Sequence, residues 1–491
     1  MPLLFFCLIV ICGSGKNSET VHTFSGITAI MSVTIKPKGC VTRMRRLTAL
    51  ALSLVLCLGL LPMSVDAVSF SDVPESYWAY TDIQELCERG LVQGSGGKFR
   101  PDESVSIQAF LSMVCRAAGL DDRSLQSGDN WADPAVAYAV YQGWCDEEEI
   151  TATNRTKSIS RELAAKLLIS ALFPEALKTS KHKTTFRDES SIAPAYRSHV
   201  RAASELGLIN GYADGRFDPR GGLTRAASAA LLCRALRLRE QSAPARGDSV
   251  QVPILMYHDI SYLGYGYSKT PEVFRQQMQE LKDAGFHTVF YSQLIDYVEK
   301  GTPLPSKPIV ITLDDGYESN YQYAFPILKE LGMKAEISLI GGAVQYSDWG
   351  LKWSEVQEMA DSGLVSFQAH TYLMHDDTSA QGGRLGVLKS QGESWTEYVE
   401  TLGADTVRIL DTIEAKTGTR PVAFTYPRGK WNTMSEAIVT SLGCKITVTT
   451  KNGIAVANQG DTSSLHLMDR IGMDFLNGSV LAVLRKYGYQ D

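Results

Sequence analysis

Two adjacent carboxylates, Asp314 and Asp315, follow an apolar run at residues 309–313, and Gly316 comes directly after them. The β-branched residues of that run predict a strand buried on both faces, as in a parallel sheet covered by helices. Side chains alternate along a regular strand, but Gly316 tolerates dihedrals that are closed to other residues and breaks that alternation. Carboxylates at the carboxyl end of such a strand stand where α/β folds place their chemistry.

Two histidines, His370 and His375, follow a second predicted strand at residues 365–369. Their spacing of five places them on different sides of a helix or a strand, so they converge only if a loop begins at His370. Two neutral imidazoles and one carboxylate are a common set of three protein ligands for a catalytic zinc or similar ion. The sequence therefore predicts a metal site where the two strands end.

These residues resemble the motifs of the polysaccharide deacetylases, the carbohydrate esterases with a NodB homology domain. Thr-Leu-Asp-Asp-Gly at residues 312–316 is similar to their first motif, and the segment 370–375 is similar to their second, His-Ser/Thr-x-x-x-His. Pro-Ile-Leu-Met-Tyr-His at residues 253–258 resembles the first strand of the branch that acts on N-acetylglucosamine polymers of cell walls and biofilms. Tyr-Pro-Arg-Gly at residues 426–429 stands where that branch has its third motif.

The resemblance spans residues 251–491 and implies a distorted (β/α) barrel of roughly seven strands, which agrees with the alternation of predicted strands and helices there. It implies one divalent ion, zinc with cobalt, nickel or iron as alternatives, held by Asp315, His370 and His375. Asp314 is then the general base that takes the proton of the attacking water. The motif Tyr-Pro-x-Gly lacks the Arg that other members hold against the catalytic Asp, and Arg428 and Arg470 are the two substitutes.

The resemblance leaves the general acid open between two histidines. His466, in Ser-Leu-His-Leu, is similar to the Leu-x-His of the last family motif, and His258 ends the first strand. The oxyanion of the reaction is expected between the metal and backbone N–H groups of the turn that follows the predicted strand at 422–426. The residues of that turn are Tyr426, Pro427 and Arg428.

An internal repeat occupies residues 69–236. Gly-Lys-Phe-Arg-Pro at 97–101 recurs as Gly-Arg-Phe-Asp-Pro at 215–219, and a degenerate copy lies between them. The unit predicts an α-helical module of three copies, at 68–120, 121–175 and 184–236, which resemble surface-layer homology (SLH) repeats. The ligand-binding Arg of that family maps onto Arg161 and Arg225, whose guanidinium groups suit an anionic secondary cell-wall polymer. The first copy has Ser-Ile-Gln at 106–108 instead, so its groove is expected not to bind.

The remaining segments suggest export. Arg45 and Arg46 precede an apolar core, and Val-Asp-Ala at 65–67 has the form of a signal-peptide cleavage site, so residues 1–67 are interpreted as an N-terminal extension and signal peptide. An uncleaved anchor is the alternative. Residues 237–250 are predicted to be a polar linker. The net charge is −6, which argues against binding to nucleic acid or to an anionic membrane.

The sequence thus predicts a secreted, wall-associated bacterial hydrolase with no membrane contact after signal cleavage. We expect it to remove acetyl groups from an N-acetylated polysaccharide, either peptidoglycan or a related N-acetylglucosamine polymer. Two alternatives remain open at this point: an O-acetyl xylan esterase, and a wall-binding surface protein with weak catalysis.

Overall fold

A computed structural model describes residues 69–125, 130–181, 186–242, 245–375 and 384–490. The described residues belong to one compact unit. The predicted extension and signal peptide at 1–67 lie outside the described residues. Within the described ranges, no helix has both the length and the apolar character needed to cross a membrane.

The amino-terminal module is α-helical, as the repeat predicted. Its helices are α1 (Tyr80–Glu88), α2 (Ile107–Ala117), α3 (Asp133–Tyr141), α4 (Arg161–Leu172), α5 (Pro174–Thr179), α6 (Arg197–Glu205) and α7 (Arg225–Gln241). The N-cap side chains Ser106, Ser160 and Thr224 each accept a bond from the backbone three residues later, which starts α2, α4 and α7 at equivalent positions of the three copies. Single β-bridges join the residues in front of these helices in a ring: Ser104 with Thr224, Ser106 with Ser158, and Ser160 with Gly222.

The first and third copies repeat the same local structure. Asp72 accepts bonds from the backbone N–H groups of Phe99 and Arg100, both at 2.8 Å. Asp188 accepts the equivalent pair in the third copy, also at 2.8 Å each. A side chain at Gly94 would collide with Phe70, 2.2 Å from the added Cβ, so only glycine lets the aromatic ring lie under the loop.

The carboxyl-terminal part is the predicted parallel barrel. Its strands are β1 (Ser249–Val252), β2 (Ile254–Tyr257), β3 (Asp259–Ile260), β4 (Ser268–Lys269), β5 (His287–Thr288), β6 (Pro308–Leu313), β7 (Ala335–Leu339), β8 (Val365–Ala369), β9 (Ala423–Thr425), β10 (Ile446–Asn452), β11 (Ala455–Asn458) and β12 (Met468–Gly472). Seven strands lie side by side in the order β2-β12-β10-β9-β8-β7-β6, and β6 pairs with β2 to close the barrel. Every residue of β6 is buried, as expected for a strand with apolar contacts on both faces.

Helices alternate with these strands. They are α8 (Pro271–Asp283), α9 (Tyr291–Lys300), α10 (Phe325–Leu331), α11 (Trp353–Asp361), α12 (Trp395–Thr417), α13 (Thr433–Ser441) and α14 (Val480–Lys486). Closure places the carboxyl ends of all seven strands at one mouth of the barrel, which is where the candidate residues of the first two motifs lie.

The predicted linker at 237–250 is shorter in the structure. Helix α7 continues to Gln241, and Arg237 on this helix binds Asp82 and Glu85 of α1, at 2.9 and 2.6 Å. Strand β1 then begins at Ser249 and pairs antiparallel with β11. The polar composition suggested a linker, but the charged residues at its start form ion pairs on a helix.

Candidate active site

The carboxylates of Asp314 and Asp315 lie at the mouth of the barrel, directly after β6. Asp315 has a φ of 74° and Gly316 a φ of 80°, so the chain leaves the strand geometry at Asp315 itself. Asp and Asn tolerate this left-handed conformation better than most residues. The break removes the alternation that would send one of the two carboxylates away from the site.

The loop after β8 brings both histidines back to Asp315. Nε2 of His370 lies 3.3 Å and Nε2 of His375 lies 3.5 Å from Oδ1 of Asp315. Thr371, with a φ of 73°, turns the chain immediately after His370. The predicted loop is therefore present, and it gives the two imidazoles the convergence that a regular helix or strand denies them.

These three side chains fit a divalent metal ion. One donor atom from each lies within 4.8 Å of the others. His370 donates from Nδ1 to the carbonyl oxygen of Thr425 at 2.7 Å, which fixes the tautomer and leaves the Nε2 lone pair directed at the site. Burial alone would raise the pKa of Asp315, but the histidines around it, His370 first, lower it below its usual range, so this ligand is ionised. Two imidazole nitrogens and one carboxylate oxygen suit zinc and neighbouring transition metals.

Asp405 on α12 supports the loop between the two histidines. Its carboxylate accepts bonds from the backbone N–H groups of Tyr372 and Leu373, both at 2.7 Å. Arg408, one turn further along the helix, lies 3.7 Å from the ring centre of Tyr372. Nothing in the sequence around Asp405 distinguishes it from an ordinary helix carboxylate, and sequence reasoning missed it.

Asp314 is paired with Arg470, one of the two substitutes named from the sequence. Nη1 and Nη2 of Arg470 donate to the two oxygens of Asp314 at 2.9 and 2.8 Å, and Nε donates to the carbonyl of Thr449 at 2.8 Å. The Arg470 side chain is fully buried, as is that of Asp314. Burial by itself raises the pKa of Asp314, but the charge and hydrogen bonds of Arg470 lower it below its usual range. Arg428, the other substitute, has an exposed side chain on the turn after β9.

His258 is the histidine that the structure brings to this pair. Its Nε2 lies 4.0 Å from Oδ2 of Asp314, and its Nδ1 donates to Oδ2 of Asp474 at 2.8 Å. Burial lowers the pKa of His258, but the hydrogen bond to Asp474 and the charge of Asp314 outweigh it and raise the pKa to about 9. The imidazole is therefore protonated at neutral pH. Asp474, just beyond β12, was not singled out from the sequence, although its place after a barrel strand is a usable signal.

His466, one of the two candidates for the general acid, does not lie at this mouth, which corrects its place among the candidates. It precedes β12, and its Nδ1 lies 3.5 Å from Oε1 of Glu436. It shares a cavity with Cys444 and Lys445, the residues in front of β10. His466 therefore lies at the amino ends of the strands, opposite Asp315. The motif around His466 was misleading, because a residue that precedes a parallel strand lies at the opposite side of the barrel from a residue that follows one.

In the turn after β9, where oxyanion donors were predicted, two backbone N–H groups already have partners, and the role of Arg428 stays a prediction. The N–H of Tyr426 donates to the carbonyl of Val448 at 3.2 Å within the sheet, and the N–H of Gly429 donates to the carbonyl of Tyr426 at 2.9 Å. Pro427 has no N–H. The phenol of Tyr426 is buried and donates to Glu436 at 2.7 Å, so this residue serves packing here.

The two predicted wall-binding arginines sit between neighbouring repeats. Arg225 of α7 donates to the carbonyls of Phe99 and Gln93 in the first copy, at 2.8 and 3.0 Å. Arg161 of α4 donates to the carbonyls of Phe217 and Asn210 in the third copy, both at 2.8 Å. Each guanidinium thus reaches the glycine-rich loop of another copy.

A groove opens beside Arg225. The first copy has no arginine at the position that corresponds to Arg225 in the third copy. A cavity of about 600 Å³ adjoins Arg225 and is also lined by Lys98, Arg100, Arg116 and Arg123. Buried Ile107 holds the equivalent position at the start of α2. This agrees with the expectation that the groove belonging to the first copy lacks the binding residue.

The fold and the site define a barrel protein with an Asp-His-His candidate metal centre at the carboxyl ends of its strands. A family model described as polysaccharide deacetylase matches residues 301–447, and one described as S-layer homology domain matches residues 69–106 and 185–227. YxkH of Bacillus subtilis, whose name also describes a polysaccharide deacetylase, is 31% identical over 210 residues, which are 43% of this chain and 68% of that protein. The chain belongs to the polysaccharide deacetylase family and carries S-layer homology domains, so it associates with a bacterial cell surface.

Other relatives are matched over part of their length. The poly-β-1,6-N-acetyl-D-glucosamine N-deacetylase of Escherichia coli K12 is 29% identical over 212 residues, which are 38% of this chain and 32% of that protein. The chain thus spans about a third of the length of that relative. A solved structure, the Streptococcus pyogenes deacetylase PplD in complex with acetate, is 24% identical and aligns with 49% of this chain and 100% of that one, at a TM-score of 0.41.

Proposed function

We propose that this protein is a wall-anchored, metal-dependent hydrolase that removes acetyl groups from N-acetylated cell-wall polysaccharide. The observation that carries the proposal is one arrangement of side chains at the barrel mouth. A metal-ligand set, Asp315 with His370 and His375, lies beside an ionised carboxylate and a protonated imidazole. Amide hydrolysis requires this combination, because water must lose a proton and the leaving amine must gain one.

The roles of the side chains follow from their partners. A divalent ion, when bound, lowers the pKa of a bound water and polarises the acetyl carbonyl. Asp314 accepts the proton of the attacking water, since its pairing with Arg470 keeps it ionised. Protonated His258, held by Asp474, donates a proton to the nitrogen of the departing amine. Zinc is the ion that we propose, because this donor set is typical of catalytic zinc.

The test of the activity uses the purified full chain with N-acetylglucosamine oligomers and measures acetate release with and without a chelator. We expect release that stops with the chelator and returns with added zinc. Release from acetylated xylan alone would favour the O-acetyl esterase. Binding to cell walls with no release from any substrate would favour the wall-binding protein.

Anchoring by the repeats is the second part of the proposal. The groove beside Arg225, lined by five basic and two acidic residues, supports an anionic polymer as the ligand, because guanidinium groups attract carboxylate or phosphate oxygens. We expect the full chain to pellet with purified cell walls and to stay in solution with walls stripped of secondary polymer. Arg225→Ala is expected to weaken pelleting more than Gln108→Ala, which lies at the arginine-free start of α2. Equal pelleting with stripped walls would contradict this part alone.

A further inference from the structure

Lys269, the last residue of β4, is a lysine of which only 1% is exposed. Lysine is rarely buried to this extent unless its ammonium group has partners. Nζ donates to the carbonyl oxygens of Asp474 and Leu476 at 2.8 and 3.0 Å, and to Oδ1 of Asn477 at 2.8 Å. An ammonium group has three N–H donors, and each of them has an acceptor here. All three acceptors lie on residues 474–478, which we call the Asp474 loop.

The Asp474 loop carries the carboxylate that holds His258. Oδ2 of Asp474 accepts the bond from Nδ1 of His258 at 2.8 Å. Oδ1 of Asp474 is buried and has no hydrogen-bond partner among the described residues. The loop belongs to neither a helix nor a strand. The position of the carboxylate therefore depends on whatever fixes the backbone of the loop.

Lys269 ties this loop to the part of the chain that carries His258. Strand β3 begins directly after His258 and pairs with β4, so that Ile260 lies opposite Lys269. The carboxylate of Asp259 also accepts a bond from Ser268 at 2.6 Å, which joins the two short strands a second time. The backbone of Lys269 is thus attached to the segment after the histidine, while its ammonium group binds the Asp474 loop.

Gln277 of α8 makes a second, less direct connection. Its Nε2 donates to the carbonyl of Leu476 at 2.9 Å, and its Oε1 accepts from the hydroxyl of Tyr257 at 2.9 Å. The carbonyl oxygen of Leu476 therefore uses one lone pair for Gln277 and the other for Lys269. Only Lys269 of these two side chains also binds the carbonyl of Asp474 itself.

We propose that Lys269 is a positioning residue for proton donation: it fixes Asp474 and, through Asp474, the imidazole of His258. This inference rests on the proposed function, in which His258 gives a proton to the departing amine. It adds a residue that acts from behind the site, because its three donors are all directed at the Asp474 loop.

The direct test is an NMR titration of His258 in the full chain, compared between the wild type, Lys269→Met and Asp474→Asn. Burial lowers the pKa of His258, whereas the hydrogen bond to Asp474 and the charges of Asp314, Asp474 and Asp315 raise it. A displaced Asp474 should therefore lower the pKa of His258 in Lys269→Met, towards its value in Asp474→Asn. If Lys269 acted only through its charge, its loss would raise that pKa, because a nearby positive charge disfavours the imidazolium. A raised or unchanged pKa would overturn the proposal.

Acetate release provides the kinetic readout. In Lys269→Met, kcat should fall by about 10–100-fold while KM stays unchanged, because a misplacement of about 1 Å can cost 10²-fold in rate. In the Asp474→Asn background the same substitution should add little further loss, since both changes act through one pair. Losses in kcat that multiply in full would contradict the proposal.

Two further variants complete the test. Asn477→Ala removes one acceptor of Lys269 at an exposed residue, so it applies even if Lys269→Met does not fold. It should lower the pKa of His258 by a smaller amount, and an unchanged pKa would count against the proposal. Lys282→Met is the matched control, because Nζ of Lys282 also donates to a backbone carbonyl, that of Leu331 at 2.8 Å, outside the Asp474 loop. It should keep the wild-type pKa and kcat, and an equal loss there would contradict the positioning role.

The two readouts separate this inference from the proposed function. If the wild type releases no acetate from any substrate, the proposed function fails. The NMR titration then still decides whether Lys269 fixes the pair of His258 and Asp474.

Discussion

Removing the positive partner of Asp314 tests the buried pair at the centre of the site. In Arg470→Met, a side chain of similar length loses its charge, and the Asp314 carboxylate stays buried with no cation against it. Breaking a buried ion pair from one side costs about 3–5 kcal/mol. We expect a loss of that size in the free energy of unfolding at pH 7, measured by denaturant titration. Asp314→Leu combined with Arg470→Met removes both charges of the pair and should recover most of the loss.

The pH dependence of the free energy of unfolding tests the direction of the pKa shift of Asp314. In the wild type, Arg470 lowers the pKa of Asp314, so the pair stabilises the fold above the unfolded pKa of about 4 and is lost only as pH falls through the lowered folded value. In Arg470→Met, burial raises the pKa of Asp314, and protonation relieves the penalty as pH falls. The stability gap between the two proteins should therefore narrow from pH 7 to pH 5. The acid limb of kcat/KM should move to higher pH. A gap below about 1 kcal/mol at pH 7, or one that does not change with pH, would refute the reasoning.

Three further changes test the other groups. Asp315→Ala should lose bound metal and activity together. Asp314→Asn should keep its metal, measured by elemental analysis, while its turnover falls by about 10²–10⁴-fold. The reverse pattern would show that the two aspartates have exchanged roles. Asp474→Asn should lower the pKa of His258, because the Asp474 carboxylate raises that pKa. The alkaline limb of the pH–rate profile should then move to lower pH. An unmoved limb would argue against His258 as the general acid. Asp405→Asn should weaken metal binding by about 10–100-fold in a zinc titration. Turnover should return at saturating metal, because Asp405 only positions the loop between the two histidines. A wild-type zinc affinity would contradict that role.

The metal-ligand set could be predicted from the sequence because each part of it is local. An apolar run predicts the strand, the strand end places the carboxylates, and a loop at His370 is the one way for its imidazole to meet that of His375. The structure has all three features. It adds that Asp315 itself takes the left-handed conformation, which the glycine after it had been expected to supply.

The partners of those residues could not be predicted in the same way, because they depend on barrel closure. β12 lies beside β2, and β2 beside β6, so the last strand of the chain reaches residues from its first strands. Arg470 and Asp474 become neighbours of Asp314 and His258 only through this pairing. One clue was present: an arginine inside an apolar strand needs a buried acceptor. His466 shows the converse, since a matching motif at the wrong end of a strand is directed away from the site.

Helix α12 connects the anchor to the metal loop. Asp405 holds the backbone between the two histidines, and Gly403, two residues earlier, faces the second repeat, where an added Cβ would lie 2.0 Å from the hydroxyl oxygen of Tyr141. Residues two apart on a helix point to different sides, so one helix carries both contacts at once. Gln142 also bonds to Ser441 of α13 at 2.9 Å. The repeats are thus packed on the barrel rather than tethered to it, and glycine at 403 is what permits the close approach. The mouth of the barrel therefore has a set position relative to the groove beside Arg225. Under the proposed function, a polymer bound in that groove would determine which part of the neighbouring glycan the metal site reaches.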